Sequence, residues 1–457
     1  MAATATVQVQ YLYAFPSLLD TSSDKPRLRL ATSGGVAQNP YFFQGRMNYP
    51  RRTADMLLAC SLVSRTRFYS PTELRERLLM AADPVVTSGG ERLRFEAFSV
   101  CCGAYCRLDL NPEAIDGDWM GRGTTNVDFN PPMRAALSGV LNSETVGLSV
   151  GADGVELERA SGTTVEKKVK LPVRWLKGFV EVQLYQSRMK PAFEIPAQEL
   201  RRLLSTIPQH QTWSKGSVSY VVPSGKGVRL SQREHPQGVA IGAPGRLKIL
   251  EDLLRHAKTV RLYFGDDGVS GWELITPECS FHIIFSPEAH RGFSGEGQAL
   301  SHLASCASDD SLAKLRAQLQ WQAKIDPQVL AHNLGTDGDS VLSTLSVLGT
   351  RGLVGYDLSE GKYFHRELPF DLEMVSDLQP RLLKARKLVE EKAVRISSKT
   401  AEKTEAYVQG DGAEHRVLIS EGEAKCTCPW YSKHSGERGP CSHILAVDIV
   451  SNQEVLV

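Results

Sequence analysis

Three cysteines and one histidine near the C-terminus form the pattern that most restricts what this chain can fold into. Cys426 and Cys428 are separated by one residue, and Cys441 and His443 repeat this spacing after a loop of twelve residues. Three thiolates and one imidazole suit the four tetrahedral positions of a structural zinc site. All four positions then belong to protein, so none is left for water or substrate. The sequence therefore predicts one structural Zn²⁺ ion rather than a catalytic one, whereas a chance meeting of bare thiols in a core fits this polar segment poorly.

The segments on either side of the four residues predict a small module around the metal. Residues 406–409 and 415–419 are short alternating runs, and residues 410–412 between them read Gly-Asp-Gly. An Asp-Gly pair between two such runs is a strong hairpin signal. Residues 444–450 form a compact apolar run, and His443 can open it as a helix. The predicted order is strand, strand, metal loop and helix, a ββα arrangement.

At this point the chain resembles the SWIM zinc-finger family, whose pattern is Cys-x-Cys, a variable loop and Cys-x-His in a ββα arrangement. The resemblance covers residues 404–452 and includes Pro429, directly after the second cysteine, where proline is frequent in that family. A wider resemblance, to bacterial proteins with a single C-terminal SWIM finger, rests on residues 175–179, 291–298 and 363–366. Those proteins are often encoded beside a MoxR-type AAA+ ATPase and a von Willebrand factor A-type protein. The resemblance implies an adaptor in such an assembly and no assigned catalytic residue.

Composition excludes several classes of protein. The 457 residues suggest about three domains. A net charge of +1 provides no overall field that attracts nucleic acid or an anionic membrane. The N-terminus lacks the pattern of a signal peptide, and no apolar run approaches the roughly 20 residues that a membrane helix needs. Nine cysteines, an odd number without a disulfide framework, indicate a reducing compartment, and the cytoplasm is the expected location.

Short strands and helices in irregular order predict an α+β fold rather than a doubly wound sheet. Helical spacing is found at residues 50–67, 71–82, 173–189 and 196–207, and strand patterns are found at residues 4–13, 92–110 and 260–285. The predicted regions are an α+β N-terminal region at 1–150, an α+β middle region at 151–310, a winged-helix-like segment at 311–375, a basic linker helix at 376–400 and the zinc finger at 401–457.

The winged-helix interpretation of residues 311–375 depends on the order of their elements. Three helical patterns at 311–324, 328–334 and 341–348 precede two strand-like runs at 352–358 and 363–368. An unrelated α+β subdomain with the same local elements is the alternative. The third helix contains no lysine or arginine. Base readout needs donors at base edges and cations at phosphates, so this helix favours a protein-binding or scaffolding role.

The loop between the two ligand pairs is the predicted partner-binding surface. It interleaves aromatic and basic side chains: Trp430, Tyr431, Lys433, His434 and Arg438. Such a mixture suits base stacking with phosphate contacts, and it suits an anchor for a protein interface equally well. Trp430 can instead pack beneath the zinc site as part of its core, Lys433 and Arg438 can simply be solvated, and the spacing favours His443 over His434 as the ligand.

Two functions follow from these observations. The first is a non-enzymatic adaptor that binds a protein or nucleic-acid partner through the finger. The alternative is a DNA-binding factor that uses the finger loop together with a basic helix carrying Arg381, Lys384, Arg386 and Lys387. An enzyme within residues 1–310 is not expected, because nothing there assembles a nucleophile, a base and an oxyanion site.

Three further motifs and three scattered histidines give weaker evidence for a functional site. Cys101, Cys102 and Cys106 could form a second metal site, but adjacent cysteines on a strand point to opposite faces, which favours buried apolar thiols. Residues 121–126 are predicted to be a turn-rich loop, and residues 121–125 lack the Gly-Lys-Ser/Thr ending of a phosphate-binding loop. Residues 292–296 lack the final glycine of a nucleophile elbow, and the sequence favours a turn there. Three scattered histidines are interpreted as structural: His282, His290 and His302.

Overall fold

The structure is a computed structural model of the chain with mixed α and β elements. It describes residues 18–20, 27–29, 41–68, 84–169, 171, 173–208, 218–225, 227–265, 268–287, 292–293, 309–368, 380–400, 402–420, 423–434 and 439–453. Within these ranges no helix is both long and apolar enough to cross a membrane.

The helices are α1 (Pro50–Arg65), α2 (Pro131–Ser138), α3 (Val173–Arg188), α4 (Ala197–Thr206), α5 (Asp309–Ala317), α6 (Pro327–Leu334), α7 (Gly338–Thr350), α8 (Pro380–Glu390), α9 (Pro429–His434) and α10 (Ser442–Gln453), with 3₁₀ turns at Pro244–Leu250 and Leu253–Arg255. The strands are β1 (Leu18–Asp20), β2 (Arg27–Arg29), β3 (Tyr41–Met47), β4 (Val85–Ser88), β5 (Leu93–Phe98), β6 (Ala104–Leu110), β7 (Ile115–Trp119), β8 (Gly123–Asn126), β9 (Gly147–Gly151), β10 (Gly154–Arg159), β11 (Gly162–Lys167), β12 (Lys190–Pro196), β13 (Val218–Ser224), β14 (Gly227–Ser231), β15 (Val239–Gly242), β16 (Thr259–Phe264), β17 (Ser270–Ile275), β18 (Cys279–Phe285), β19 (Val354–Asp357), β20 (Lys362–His365), β21 (Val394–Lys399), β22 (Lys403–Gln409), β23 (Glu414–Ser420) and β24 (Glu423–Cys426).

Buried apolar side chains form three clusters that correspond to three parts of the chain. The largest lies mainly in the described residues between 41 and 293, which we call the body, and also takes in Leu358 and Leu368. A second lies within residues 309–368, the helical segment. The third lies within residues 380–453, the finger module, and includes the three cysteines of the metal motif. The finger module therefore has a small apolar core of its own.

Antiparallel sheets build the body. An eight-stranded sheet has the order β12-β16-β17-β18-β6-β5-β4-β8, and a five-stranded sheet has the order β11-β10-β9-β3-β7. Helix α1 packs on β5 and β6. The rings of Trp175 and Phe179 on α3 contact Phe98 of β5, with centroid distances of 5.8 and 5.0 Å. The eight-stranded sheet is thus covered by helices and shares its core with the five-stranded sheet.

Several predicted elements of the body are confirmed. Helices α1, α3 and α4 lie at the helical patterns, β5 and β6 at the strand pair, and β16–β18 at the long strand region. The predicted strand at 4–13 and helix at 71–82 lie outside the described residues. The turn-rich loop expected near residue 121 is corrected in part, since Gly123–Asn126 forms β8 and pairs with β4. Gly123 lies against the ring of Phe42, so this glycine reflects close packing rather than phosphate binding.

The helical segment follows the predicted order of three helices and a hairpin, while its interpretation as a winged helix stays a prediction. Helix α5 ends at Ala317 rather than at residue 324. Trp321 adopts a left-handed conformation with φ of 61°, which a helix does not tolerate, and Ile325 forms a bridge with Tyr363 on β20. The last part of the expected helix therefore packs on the hairpin instead of continuing α5.

A row of polar, mostly charged side chains crosses the eight-stranded sheet where the helical segment docks. Its members stand directly opposite one another on six neighbouring strands: Glu96, Arg107, His282, Glu273, Arg261 and Glu194. Cross-strand pairs of opposite charge stabilise an antiparallel sheet. His282 is buried in this row among charged groups, and its interpretation as structural stays a prediction, whereas His290 and His302 lie outside the described residues.

Asp357, the last residue of β19, docks the helical segment onto this row. Its carboxylate lies 2.8 Å from Arg107 Nη2 and 3.0 Å from Arg94 Nη2, and it accepts the backbone N–H of Ser359 at 3.2 Å. All of Arg94, Arg107 and Asp357 are at most 2% exposed. Burial by itself raises the pKa of Asp357, but the Arg107 and Arg94 guanidinium groups overcome it and hold this pKa well below its usual range. Buried ion pairs therefore hold the hairpin on the body.

The finger module contains more than the expected ββα arrangement. Four antiparallel strands in the order β21-β22-β23-β24 form its sheet, and α8 and α10 pack against each other. Strands β22 and β23 confirm the predicted hairpin, and α10 confirms the predicted last helix. The basic linker helix predicted at 376–400 is observed as α8, and Val394–Lys399 is an edge strand instead.

The early end of α8 has a local cause. Lys392 adopts a left-handed conformation with φ of 55°, and its N–H donates to the carbonyl of Val389. The N–H of Ala393 donates to the carbonyl of Leu388, which completes a Schellman motif. The basic helix is therefore not a free linker, because Leu382, Ala385 and Leu388 belong to the buried core of the finger module.

Candidate metal centre

Two turns of backbone bring the two ligand pairs together. Cys426 ends β24 and stands opposite Val417 of β23. Cys428 precedes α9, and the N–H of Tyr431 donates to its sulfur at 3.4 Å. Thr427, the residue between the two cysteines, is fixed by β23. Its N–H donates to the Arg416 carbonyl, and its Oγ1 accepts the Arg416 N–H. The first pair thus leaves a strand and enters a helix within three residues.

The second pair stands at the start of α10. Cys441 lies immediately before the helix, its carbonyl accepts the N–H of Leu445, and His443 belongs to the first helical turn. The helix is apolar over Ile444 to Val447 and buries these side chains in the core of the finger module. Burial of α10 against the sheet therefore carries Cys441 and His443 to the first pair.

The geometry of the four side chains fits one structural zinc ion. Their donor atoms all lie within 4.8 Å of one another, and all four residues are buried. Cys426 Sγ and His443 Nδ1 are 3.8 Å apart. Zinc bonds of about 2.3 Å to sulfur and about 2.0–2.1 Å to nitrogen at a tetrahedral angle place two such donors roughly 3.6 Å apart. The predicted donor set therefore meets at one point, without a water or substrate position among its members.

Two thiols of the cluster, those of Cys428 and Cys441, have a raised pKa in the absence of a cation. Contact with Cys426 and burial raise the pKa of Cys441 to about 12, and burial raises the pKa of Cys428. A bound cation reverses this preference, because zinc ligands are thiolates. The cluster is thus arranged for a metal ion rather than for stable free thiolates.

Zinc binding near neutral pH is expected to release at least two protons, from Cys428 and Cys441. Both thiols have a raised pKa, so both are protonated at neutral pH in the metal-free protein and must ionise to bind zinc. The apparent affinity therefore increases with pH. Calorimetric titration of the full chain in two buffers of different ionisation enthalpy measures the number of protons released. Release of no proton would contradict the assignment of these cysteines as zinc ligands.

An arginine that the sequence analysis placed on a separate basic helix joins both halves of the metal loop. The Arg381 guanidinium lies 4.6 Å from the centre of the Trp430 ring, two residues after Cys428. Its Nη1 also donates to the carbonyl of Pro440 at 2.8 Å, directly before Cys441. Arg381 on α8 therefore clamps the two ends of the loop beside the metal centre. No sequence spacing signals this contact, because it depends on how α8 packs against α10.

Four of the five predicted contact residues lie where the loop forms α9, which buries none of its side chains completely. Trp430 and Tyr431 are half-buried and pack against the core, so the packing alternative for Trp430 is met in part. Lys433 is exposed. The His434 ring lies 4.8 Å from the Trp430 ring, and His434 is not a member of the donor cluster. Arg438 lies outside the described residues.

The remaining motifs do not form a second centre in the part of the chain that the structure describes. The cluster at the C-terminus is the one group of at least three potential ligands found there. Cys106 is fully buried beside Cys60, and burial raises its pKa well above the usual value, as expected for an apolar thiol. Gly292 lies tightly against the backbone of Cys101 and Cys102, which agrees with a turn, while residues 294–296 lie outside the described residues.

Fold and site together define a zinc-finger module at the C-terminal end of the described residues. The SWIM zinc finger family model matches residues 415–447, so the chain carries a SWIM zinc finger near its C-terminus. No curated protein sequence matches this chain.

Solved structures of PCNA proteins share limited similarity with the chain. Proliferating Cellular Nuclear Antigen from Entamoeba histolytica is 12% identical with a TM-score of 0.36, over 54% of this chain and 99% of that chain. A chain of the complex of the C-terminal region of FEN-1 with A. fulgidus PCNA is 10% identical with a TM-score of 0.36, over 54% of this chain and 98% of that chain. A chain of the PCNA2-PCNA3 complex from Sulfolobus tokodaii is 9% identical with a TM-score of 0.36, over 54% and 99% of the respective chains. TM-scores of this size do not establish a shared fold.

Proposed function

We propose that this chain is a non-enzymatic adaptor that binds a protein partner through a zinc-dependent surface. We call this surface the α8–α9 surface and define it by Arg381, Trp430, Tyr431, Lys433 and His434. The observation that carries the proposal is the position of α9, which is built from the metal loop itself and keeps every side chain at least partly accessible. Zinc binding and presentation of this surface are therefore the same structural event.

The chemistry of the α8–α9 surface suits a protein interface. Tryptophan, tyrosine and arginine are the residues most enriched at energetic hot spots. The Arg381 guanidinium is already stacked on Trp430, and the His434 ring lies against the same tryptophan. These side chains therefore lose little conformational entropy on binding, which is the main advantage of a pre-organised surface.

Charge pairing favours a protein partner over DNA. Lys384 Nζ lies 2.6 Å from Asp411 Oδ2, and Lys387 Nζ lies 3.7 Å from Oε1 of Glu391, the residue directly after α8. The open face of the sheet is balanced in the same way, with ion pairs Arg395–Glu414, Arg416–Glu405 and Lys425–Glu423. Phosphate binding requires cations that release counterions, and here many cations already have carboxylate partners. Binding of nucleic acid by this surface would therefore contradict the proposal of a protein partner.

The resemblance to bacterial proteins with one C-terminal SWIM finger supplies the first partners to test. A MoxR-type AAA+ ATPase and a von Willebrand factor A-type protein are the candidates that it implies. Capture by the full chain, with and without nuclease treatment of the lysate, tests the class of partner. Partners that survive nuclease treatment support the adaptor, whereas partners lost with the nucleic acid indicate a DNA- or RNA-binding factor.

Lys433→Glu is expected to weaken partner binding about tenfold, as for an interface residue that contributes about 1.4 kcal/mol. Lys433 is exposed, so the substitution removes no buried contact and zinc content should be unchanged. Lys403→Glu makes the same charge change at an exposed position of β22, away from the metal loop, and serves as the control. Equal binding by both variants, with equal zinc content, would place the interface elsewhere.

A further inference from the structure

The imidazole of His443 has two ring nitrogens, and the metal cluster explains the position of only one of them. Its Nδ1 faces the cluster, 3.8 Å from Cys426 Sγ. His443 is only 7% exposed, and its buried Nε2 has no hydrogen-bond partner among the described residues. Metal-bound histidines are normally held from this second nitrogen by a neighbouring group. The outer edge of the His443 ring is therefore where an orienting residue is needed.

His415 is a neighbouring side chain whose ring packs against that of His443. It lies on β23, and its ring centroid is 4.5 Å from that of His443, with an angle of 45° between the two ring planes. Strand pairing determines its position, because His415 stands opposite Val408 at the turn end of the β22–β23 hairpin. The contact thus links a residue from the hairpin to a ligand from the last helix, which are far apart in sequence.

Gly410 leaves the space that the two rings occupy. A Cβ atom at this position would lie 3.0 Å from His443 Nε2 and 3.1 Å from His415 Cδ2. Both contacts are tighter than side chains normally make, and the atoms concerned belong to rigid rings. The hairpin turn is therefore shaped around the pair of imidazoles rather than only by the demands of chain reversal.

The turn is itself held in place from α8. Lys384 Nζ lies 2.6 Å from Asp411 Oδ2, and the N–H of Gly410 donates to the carbonyl of Ala413 at 2.9 Å. Gly412 has φ of 91°, a conformation suited to glycine. The ring of His415 is consequently presented to His443 by a turn that has its own support.

We propose that His415 is a positioning residue for the zinc ligand His443. Its ring packs against the His443 imidazole and limits rotation of that imidazole, so that Nδ1 stays directed at the cluster. A ligand that is held in its bound orientation before the metal arrives loses less freedom on binding. This role rests on the zinc site and not on the proposed partner, so it is tested without any partner present.

Zinc affinity of the full chain, measured by competition with a chromophoric chelator, tests the proposal. His415→Ala is expected to weaken zinc binding about 10–100-fold, the usual effect of removing a residue that orients a metal ligand. Gly410→Ala should weaken it as well, because a methyl group there displaces both rings. Glu414→Ala is the matched control, since the neighbouring side chain on β23 points to the other face of the sheet and is exposed.

A second readout separates positioning from general stability. Cobalt(II) bound in place of zinc reports the geometry of the site through its visible absorption bands. His415→Ala should change these bands at saturating cobalt, whereas His415→Phe, which keeps a flat ring, should restore most of the affinity and the bands. Wild-type affinity and bands in His415→Ala would overturn the proposal, and so would a phenylalanine variant that behaves like the alanine variant.

Discussion

Replacing Cys428 by serine is expected to abolish zinc retention and to unfold the finger module while the body stays folded. A structural zinc contributes about 10–16 kcal/mol to the folding of a small zinc domain. The core of the finger module is one small cluster built around the ligands themselves, with Cys426, Cys428 and Cys441 among its buried members. That cluster is separate from the cores of the body and the helical segment, so the loss should stay local.

Native mass spectrometry and hydrogen exchange measure this result together. The variant should lack zinc, and amides of β22, β23 and α10 should exchange rapidly while those of β5, β6 and β18 remain protected. Cys101→Ser is the matched control, because that thiol is partly exposed and lies outside the donor cluster. A Cys428→Ser protein that retains zinc would contradict the ligand assignment, and loss of protection in the eight-stranded sheet would contradict the independence of the cores.

Asp357→Asn is expected to destabilise the docking of the helical segment by about 3–5 kcal/mol, the usual cost of removing one partner from a buried ion pair. Arg94 and Arg107 would then share only Asp109, which lies 3.3 Å from Arg94 Nε and 3.0 Å from Arg107 Nη2. A buried guanidinium without sufficient compensating charge is far more costly than an exposed one. The amide keeps the shape of the side chain, so the change tests charge and not volume.

Protection of β19, β20 and α7 in hydrogen exchange should fall in the Asp357→Asn protein, and its urea midpoint should decrease. Glu360→Gln makes the same kind of change in the same turn, but Glu360 pairs with Lys324 at the surface and should contribute little. Equal protection in the two variants would show that apolar contacts alone hold the segment. Because the pKa of Asp357 is held low, its contribution is present above the usual carboxylate range and is lost only as the pH falls through the lowered pKa.

The metal centre is the part of this protein that its sequence predicts best. Zinc ligation depends on donor chemistry and short spacing, and both are visible in Cys426-x-Cys428 and Cys441-x-His443. The hairpin of β22 and β23 was equally accessible, because an Asp-Gly turn between alternating runs is a local signal. Helices α1, α3 and α4 were found from their spacing, since burial of one helical face leaves a periodic pattern.

The errors arose where local pattern and packing compete. The run of helix-forming residues after 390 continues as strand β21, because Lys392 reverses the chain and the edge of the finger sheet needs a partner. The same competition shortened α5, where Ile325 pairs with the hairpin. Gly123 was predicted to lie in a loop, but it belongs to a strand, and its missing side chain leaves space for the ring of Phe42.

By itself, then, the sequence determined the four zinc ligands, the hairpin beside them and the mixed α and β character of the chain, because each depends on residues that are close together along the backbone. Tertiary structure decided which distant groups surround them. The clamp of Arg381 on Trp430, the ring of His415 on His443 and the carboxylate of Asp357 between Arg94 and Arg107 all join separate elements. Such contacts depend on strand register and helix packing, which no short sequence pattern specifies.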